Sequence, residues 1–352
     1  MDGNPKIAVS LIMWDLGESG YLKEALDSLM GQTYENIEVF FTLNGMDPQV
    51  AEKILADYPA TRMIIHEENT GFAYAHKHAM NLAFNELGFD AVIVLNLDVV
   101  LALDCIERLA ATAYADDSIG LAQPTIFMWR DGKSPILNTD GNKAHFLGFG
   151  YCGHYGLKGP LTDQDGEVPT VSGTCFLIKE PAFQATLGLD EDLFIYLDDV
   201  DLSWRSRLEG FSCYLSSKAF MWHKHDFGAE FSSSKKMYLL ERNRYILLLK
   251  NYSLKTLILL LPGLLLMDAG VLFYSIVKGF VSAKVRSYFG IASQLRSTLR
   301  KRALIQGSRQ TSDAGILSWF TAEMVFPHID HPLLDLANRM FRIYYGLIRR
   351  FV

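Results

Sequence analysis

Short apolar runs alternate with stretches of helical period through the first hundred residues. Ile7–Ile12 is an apolar run bounded by Pro5 and the turn-prone Asp15–Gly20 stretch. Tyr21–Met30 then sets Leu22, Ala25, Leu26 and Leu29 on one helical face. Glu38–Leu43 predicts a second strand closed by Asn44-Gly45, Arg62–Ile65 a third, and the fully apolar Ala91–Leu95 a fourth, central one. Pro48–Tyr58 and Ala73–Leu87 supply helical period between them. This order implies an α/β fold with a mostly parallel, doubly wound sheet, whose ligands bind beyond the carboxyl ends of the strands.

Residues 125–170 are rich in Gly, Asp, Asn and Lys and predict a long excursion facing the site. Regular structure is expected to resume at Val171–Ile178, with a helix from Asp199 to Leu208, short strands at Phe211–Leu215 and Phe220–Trp222, and a helix over Ser233–Lys250. Residues 256–277 carry one charge, Asp268, in a length able to span a bilayer. Pro262-Gly263 interrupts that run, and Lys255, Lys278, Lys284 and Arg286 flank it. The pattern predicts a helical hairpin or interfacial segment in the cytoplasmic leaflet, ahead of a buried helix pair or a true span. Arg296, Arg300, Lys301 and Arg302 would then meet headgroups. Two domains are expected: an α/β domain over 1–250 and a helical, basic and apolar region over 251–352.

Charge sharpens that division. The net −7 combines 19 Lys+Arg against 35 Asp+Glu in residues 1–249 with 14 against 5 in the remainder. An acidic body with a basic end suits an anionic surface. Nucleic acid is not expected as a partner, because the basic residues lie among long aliphatic runs. Four scattered cysteines fit reduced thiols in a cytoplasmic compartment, and MDGNPKIAVS has no basic start followed by an apolar run, so no secretory leader is expected.

Candidate chemistry lies at four places. Asn96 and Asp98 follow the central strand, where alternate residues project together, and one carboxylate with an amide suffices for a hard cation carrying a diphosphate. Helix capping is an equal rival for Asp98. Asp198, Asp199 and Asp201 crowd one helix start, where capping needs a single side chain and mutual repulsion raises at least one pKa toward that of a general base. His223 and His225 share a strand face, a solvated pair by default and ligands in the sharper reading. Tyr238 and Arg242 share a helical face, and arginine suits a leaving diphosphate.

Taken in order, KIAVSLIMWD, LDSLMGQTYENIEVFFTLNG, ENTGFAYAH, VLNLDVVL, NTDGN, VSGTCFLIKEPAF, GLDEDLFIYLDDVDLSWRSRLEGF, AFMWHKHDF and YLLERNRYILLLKNY resemble the glycosyltransferase family 2 enzymes, most of all their bacterial rhamnosyltransferase-type members. The resemblance implies a GT-A (Rossmann-like) nucleotide-sugar-binding domain followed by a helical, membrane-associating region. It also implies inverting transfer from a nucleotide-diphosphate sugar, with a divalent cation, magnesium or manganese. Residue by residue, it makes Asp199 the catalytic base, Asp98 and His223 the metal ligands, and Asn44, Gly71, Asn96, Gly173 and Arg242 donor-site residues. The acceptor implied is a saccharide, free or lipid-linked, at the inner face of the cell membrane in cell-surface polysaccharide assembly, and a homo-oligomer is compatible. A non-catalytic nucleotide-sugar binder or scaffold subunit is the competing class, to which two departures lend weight: Leu43 where an acid is expected and Lys77 in place of asparagine. A third departure is Trp14-Asp15 for Tyr-Asn.

Overall fold

The computed structural model describes residues 4–15, 19–224, 233–325 and 332–352, and His225 lies outside the described residues. The elements in the first half are β1 (Ile7–Met13), α1 (Ser19–Met30), β2 (Ile37–Asn44), α2 (Gln49–Asp57), β3 (Arg62–His66), α3 (Phe72–Asn81), β4 (Ala91–Leu95), β5 (Val99–Leu101), α4 (Cys105–Ala113), β6 (Ile119–Trp129) and β7 (Lys133–Thr139). There follow β8 (Asn142–Ala144), β9 (Gly150–Cys152), β10 (Gly166–Glu167), β11 (Cys175–Lys179), α5 (Glu180–Thr186), α6 (Asp198–Leu208), β12 (Ser212–His223), α7 (Ser234–Asn251), α8 (Leu254–Lys278), α9 (Val281–Ser308), α10 (Asp313–Leu317) and α11 (Pro332–Ile348).

The chain divides into two compact units. The first comprises residues 1–142, 152–206 and 211–225. Its sheet runs β10-β12-β6-β11-β4-β1-β2-β3, with β5 on β12 and β7 on β6. The strands β4, β1, β2 and β3 are parallel as the βα alternation requires, whereas β11 enters antiparallel between β4 and β6. The pleat of β1 shows why the sheet is covered on both faces. Ile7, Val9, Leu11 and Met13 enter one apolar cluster with α1, α2 and α4, while Ala8 and Ile12 enter a second with α3 and α5. The polar residue on that second face, Ser10, bonds its Oγ to His76 Nδ1 at 2.8 Å. Burial pushes the His76 imidazole down to about 3, so it packs as a neutral ring.

Two expectations change. The start of the Gly- and Asp-rich stretch is no loop: β6 and β7 form an antiparallel pair joined through Asp131 and Gly132, which both have positive φ. Composition obscured a hairpin whose turn residues are that same Asp-Gly. The two short strands expected after Phe211 are one strand, β12, whose register against β6 shifts between Ser216 and Phe220. The polar Ser216–Lys218 stretch breaks the apolar pattern at that irregularity.

The second unit comprises residues 143–151, 207–210 and 226–352, and thus takes in α7. Its α8 runs unbroken through Pro262. Proline lacks the N–H that a helix interior needs. Here the Tyr344 hydroxyl donates to Leu259 O at 2.5 Å and accepts from Gly263 N at 3.3 Å, closing the gap beside Pro262. Asp268, costly in an apolar run, is held by Lys284 at 2.5 Å and by the hydroxyls of Tyr245 and Tyr288 at 2.7 and 2.6 Å. Arg302, expected at headgroups, instead donates to Leu249 O and Tyr252 O, both at 2.5 Å. It satisfies carbonyls at the C-terminal end of α7 that would otherwise be orphaned.

Candidate active site

The chemistry-bearing residues of the first unit gather past the carboxyl end of β4. The strand ends at Leu95, and Asn96 donates its backbone N–H to Thr174 O at 3.0 Å. Beyond it β5 pairs with the end of β12 so that Val99 stands opposite His223. That register brings Asp98, the residue before Val99, to His223: Oδ2 and Nε2 lie 3.1 Å apart. The helix that follows takes Asp104 as its N-cap residue, so Asp98 is not its cap. Two cis ligands of one hard cation at about 2.1 Å stand about 3 Å apart. The Asp98–His223 spacing suits that arrangement as well as it suits a hydrogen bond.

Of the three aspartates at the start of α6, Asp201 is fully buried and bonded to Arg205 Nε at 2.9 Å. Arg205 also donates to Thr186 O and Gly188 O, at 2.5 and 2.8 Å, so this pair is architecture. Among the described residues, Asp199 has no cation as a hydrogen-bond partner. Its Oδ2 accepts from Gly173 N at 2.9 Å and Asn142 Nδ2 at 3.3 Å, and its Oδ1 from Val200 N at 2.8 Å. Asp198 is 4% exposed and its Oδ2 has no partner. Burial, with the Asp199 charge second, pushes Asp198 up to about 8, whereas Asp199 is raised by burial against the pull of its three donors. Both carboxyls of the pair are thus raised by burial, and Asp199 is the one whose anionic form is favoured by three neutral donors.

The segment that delivers this pair is strained. Phe194, Tyr196 and Leu197 have φ of 66°, 73° and 62°, a region that non-glycine residues rarely occupy. It is anchored by Ala73 N donating to Phe194 O at 3.1 Å and by Gly71, where a Cβ would stand 2.5 Å from the Phe194 ring. Just before it, the oxygens of Asp190, Glu191 and Asp192 lie within 4.8 Å of one another. Asp190 Oδ1 caps that turn by accepting from Asp192 N at 3.1 Å, and Glu191 is paired with Lys77 at 2.5 Å. The lysine that departs from the family pattern thus ties α3 to the segment carrying Asp199.

The remaining expected residues take different places. Asn44 is fully buried with its amide spent on one loop: Oδ1 accepts from Thr70 N and Oγ1 at 3.0 and 2.9 Å, and Nδ2 donates to Asn69 Oδ1 at 3.2 Å. Leu43 lies in the core cluster beneath α1 and α2. Gly173 faces the acid pair, for a Cβ there would stand 3.6 Å from Asp199 Oδ2. Arg242 belongs to the second unit, with its Nε on Asn243 Oδ1 at 2.9 Å and its guanidinium 5.4 Å from the Tyr238 ring. Sequence reasoning assigned no role to Asn142, although it lies in the quoted NTDGN segment, because the contact joins residues 57 apart.

The sequence profile of the glycosyltransferase-like family 2 matches residues 5–246. The N-acetylglucosaminyl-diphospho-decaprenol L-rhamnosyltransferase of two Mycobacterium tuberculosis strains is 26% identical over 225 residues, 58% of this chain and 72% of the relative. Among solved structures, GalNAc-T7 with UDP, GalNAc and Mn2+ superposes with a TM-score of 0.58 at 15% identity, over 84% of this chain. The superposition spans 58% of the length of GalNAc-T7. The chain belongs to the glycosyltransferase-like family 2 and has the GT-A fold.

Proposed function

We propose that the chain transfers rhamnose, with inversion, from a nucleoside-diphosphate donor to a saccharide carried on a lipid diphosphate, in cell-surface polysaccharide assembly. One observation carries this reading. The turn over residues 172–174 accepts the backbone N–H of Asn96 on one side and donates to Asp199 on the other, so the Asp98–His223 pair and the acid pair flank a single turn. The sugar and the lipid-linked acceptor rest on the name of the mycobacterial relative.

In the step proposed, Asp199 takes the proton of an acceptor hydroxyl as that oxygen bonds to the anomeric carbon. The bond from that carbon to the donor diphosphate breaks on the opposite face, and the nucleoside diphosphate leaves with the electron pair. Asp98 and His223 would hold a magnesium or manganese ion, which when bound neutralises charge on the diphosphate. Burial favours the neutral form of Asp198, which adds no second negative charge beside the base. Melting of the purified chain with a panel of nucleoside-diphosphate sugars tests the donor half. Stabilisation by a rhamnose donor in manganese, abolished by chelator and by Asp98→Ala, is expected. Equal stabilisation in chelator would make Asp98 a structural acid. Binding without release of nucleoside diphosphate to an N-acetylglucosaminyl-diphospho-prenol would favour the non-catalytic alternative.

We place the second unit at the inner face of the cell membrane. One face of α8 exposes Leu254, Ile258, Leu265, Phe273, Ile276 and Val277, each at least 60% accessible, while Asp268 is paired within the unit. By length and composition α8 is able to cross a membrane, but its paired charge and the basic α9 favour an interfacial position. On α9, Arg296 and Arg300 are exposed beside the exposed Leu295 and Leu299. Replacing both arginines by glutamine should weaken flotation with anionic vesicles about 30-fold at low salt, since each contributes about 1 kcal/mol, and less as salt rises. Unchanged flotation would remove this part of the proposal.

A further inference from the structure

A chain of hydrogen bonds leads into Asp199 from the loop opposite α6, and donor–acceptor accounting fixes its direction. The Thr139 hydroxyl accepts from Gly141 N at 3.1 Å and from Gly153 N at 3.3 Å. A hydroxyl has two acceptor sites and one proton. Both sites are filled by backbone N–H groups that can only donate, so the proton goes to the remaining neighbour, Asn142 Oδ1 at 3.0 Å. With its carbonyl end so engaged, Asn142 presents its NH2 to Asp199 Oδ2. The backbone of Asn142 is itself clipped to Thr170 in both directions, at 2.9 and 3.2 Å, three residues before Gly173. Thr139 and Asn142 are 0% and 8% exposed, so water does not compete.

Resting on the transferase reading above, we infer that Asn142 is the positioning residue of the base and Thr139 the residue that sets its amide, so that Oδ2 of Asp199 is the anchored oxygen and Oδ1 the one that receives the acceptor's proton. Oδ2 already accepts two hydrogen bonds, whereas Oδ1 accepts one, from Val200, and keeps a lone pair. An amide turned the other way would aim its oxygen at a carboxylate, which repels it. Among the described residues, the titratable groups that act on the pair are Asp201 and Cys152, whose thiol is pushed up to about 12 by burial and then by Asp199. Neither of them is a cation, so the anionic form of Asp199 depends on its neutral donors.

The test compares the full-length wild type with Thr139→Val, Thr139→Ser, Asn142→Leu and the near-isosteric Asn142→Asp. The first reading is the pH dependence of the Asp199 carboxyl stretch in the infrared, isolated by subtracting Asp199→Asn, and it needs no substrate. The second is the acid limb of kcat with a nucleoside-diphosphate rhamnose and an N-acetylglucosaminyl-diphospho-prenol. In Thr139→Val, Asn142→Leu and Asn142→Asp both should move alkaline by about one pH unit. Asn142→Asp should move furthest and Thr139→Ser should stay at wild type. The kcat at neutral pH should fall about tenfold or more with donor KM unchanged. An infrared midpoint unmoved in Asn142→Asp, or a serine variant as impaired as the valine, overturns the inference. A wild type without transfer activity sinks the functional reading alone, because the infrared titration still decides this one.

Discussion

The molecule buries two groups of carboxylates and treats them in opposite ways. In the second unit, Glu241 is 2% exposed and meets Arg244 at 2.8 Å and Lys284 at 2.5 Å, and Lys284 reaches on to Asp268. Burial alone would raise Glu241, yet the two cations outweigh it and hold the carboxyl below the usual range. In the first unit the described residues offer Asp198 and Asp199 no cation: one has an unpartnered oxygen and the other only neutral donors. Asp201, two and three residues further along the same helix, is matched to Arg205. A carboxylate whose task is architectural is neutralised where it sits. One whose task is to receive a proton must keep a lone pair and a pKa within reach of neutral.

The sharpest way to break this contrast is Asp199→Asn. It should lower transfer by about 10²–10⁴-fold while leaving metal-dependent nucleotide binding close to wild type, because in the proposed step Asp199 acts on the acceptor. Loss of nucleotide affinity in step with rate would make Asp199 structural, like Asp201. Next in size is Glu241→Gln, which strips the counter-charge from Arg244 and leaves Lys284 with Asp268 alone. A buried cation left uncompensated in this way costs about 3–5 kcal/mol, read as a lowered denaturation midpoint. A drop within error would mean that the second unit does not depend on its ion network.

The smallest effect has the opposite sign. Asp198 has a folded-state pKa of about 8, above its unfolded value of 3.8. Its protonated form is therefore favoured by folding, and stability present below the unfolded value is lost as pH rises toward the folded one. Asp198→Asn removes that loss. The variant should match wild type near pH 4 and melt a few degrees higher above about pH 8. A variant less stable at every pH would show that Asp198 is held by charge, as Glu241 is.

The sequence by itself determined the βα order, the end of the central strand past which the candidate residues gather, and the division of charge between the two ends of the chain. Hydrophobic period and local turn chemistry act over a few residues and are written linearly, which is why Ala91–Leu95 and the helix carrying Asp198, Asp199 and Asp201 were legible. The family resemblance named Asp98, Asp199 and His223. The residue pattern alone could not separate Asp201 from Asp199, because the difference is an arginine four residues on and an amide 57 residues back. Nor could it tell that Pro262 leaves α8 continuous, since the hydroxyl that makes this possible is on Tyr344, or that Arg302 spends itself on carbonyls rather than at a surface. Whether a buried charge is matched, and which way an amide points, depends on partners brought together only by folding. Those choices belonged to the tertiary structure, because a hydrogen bond acts over about 3 Å and is indifferent to distance along the chain.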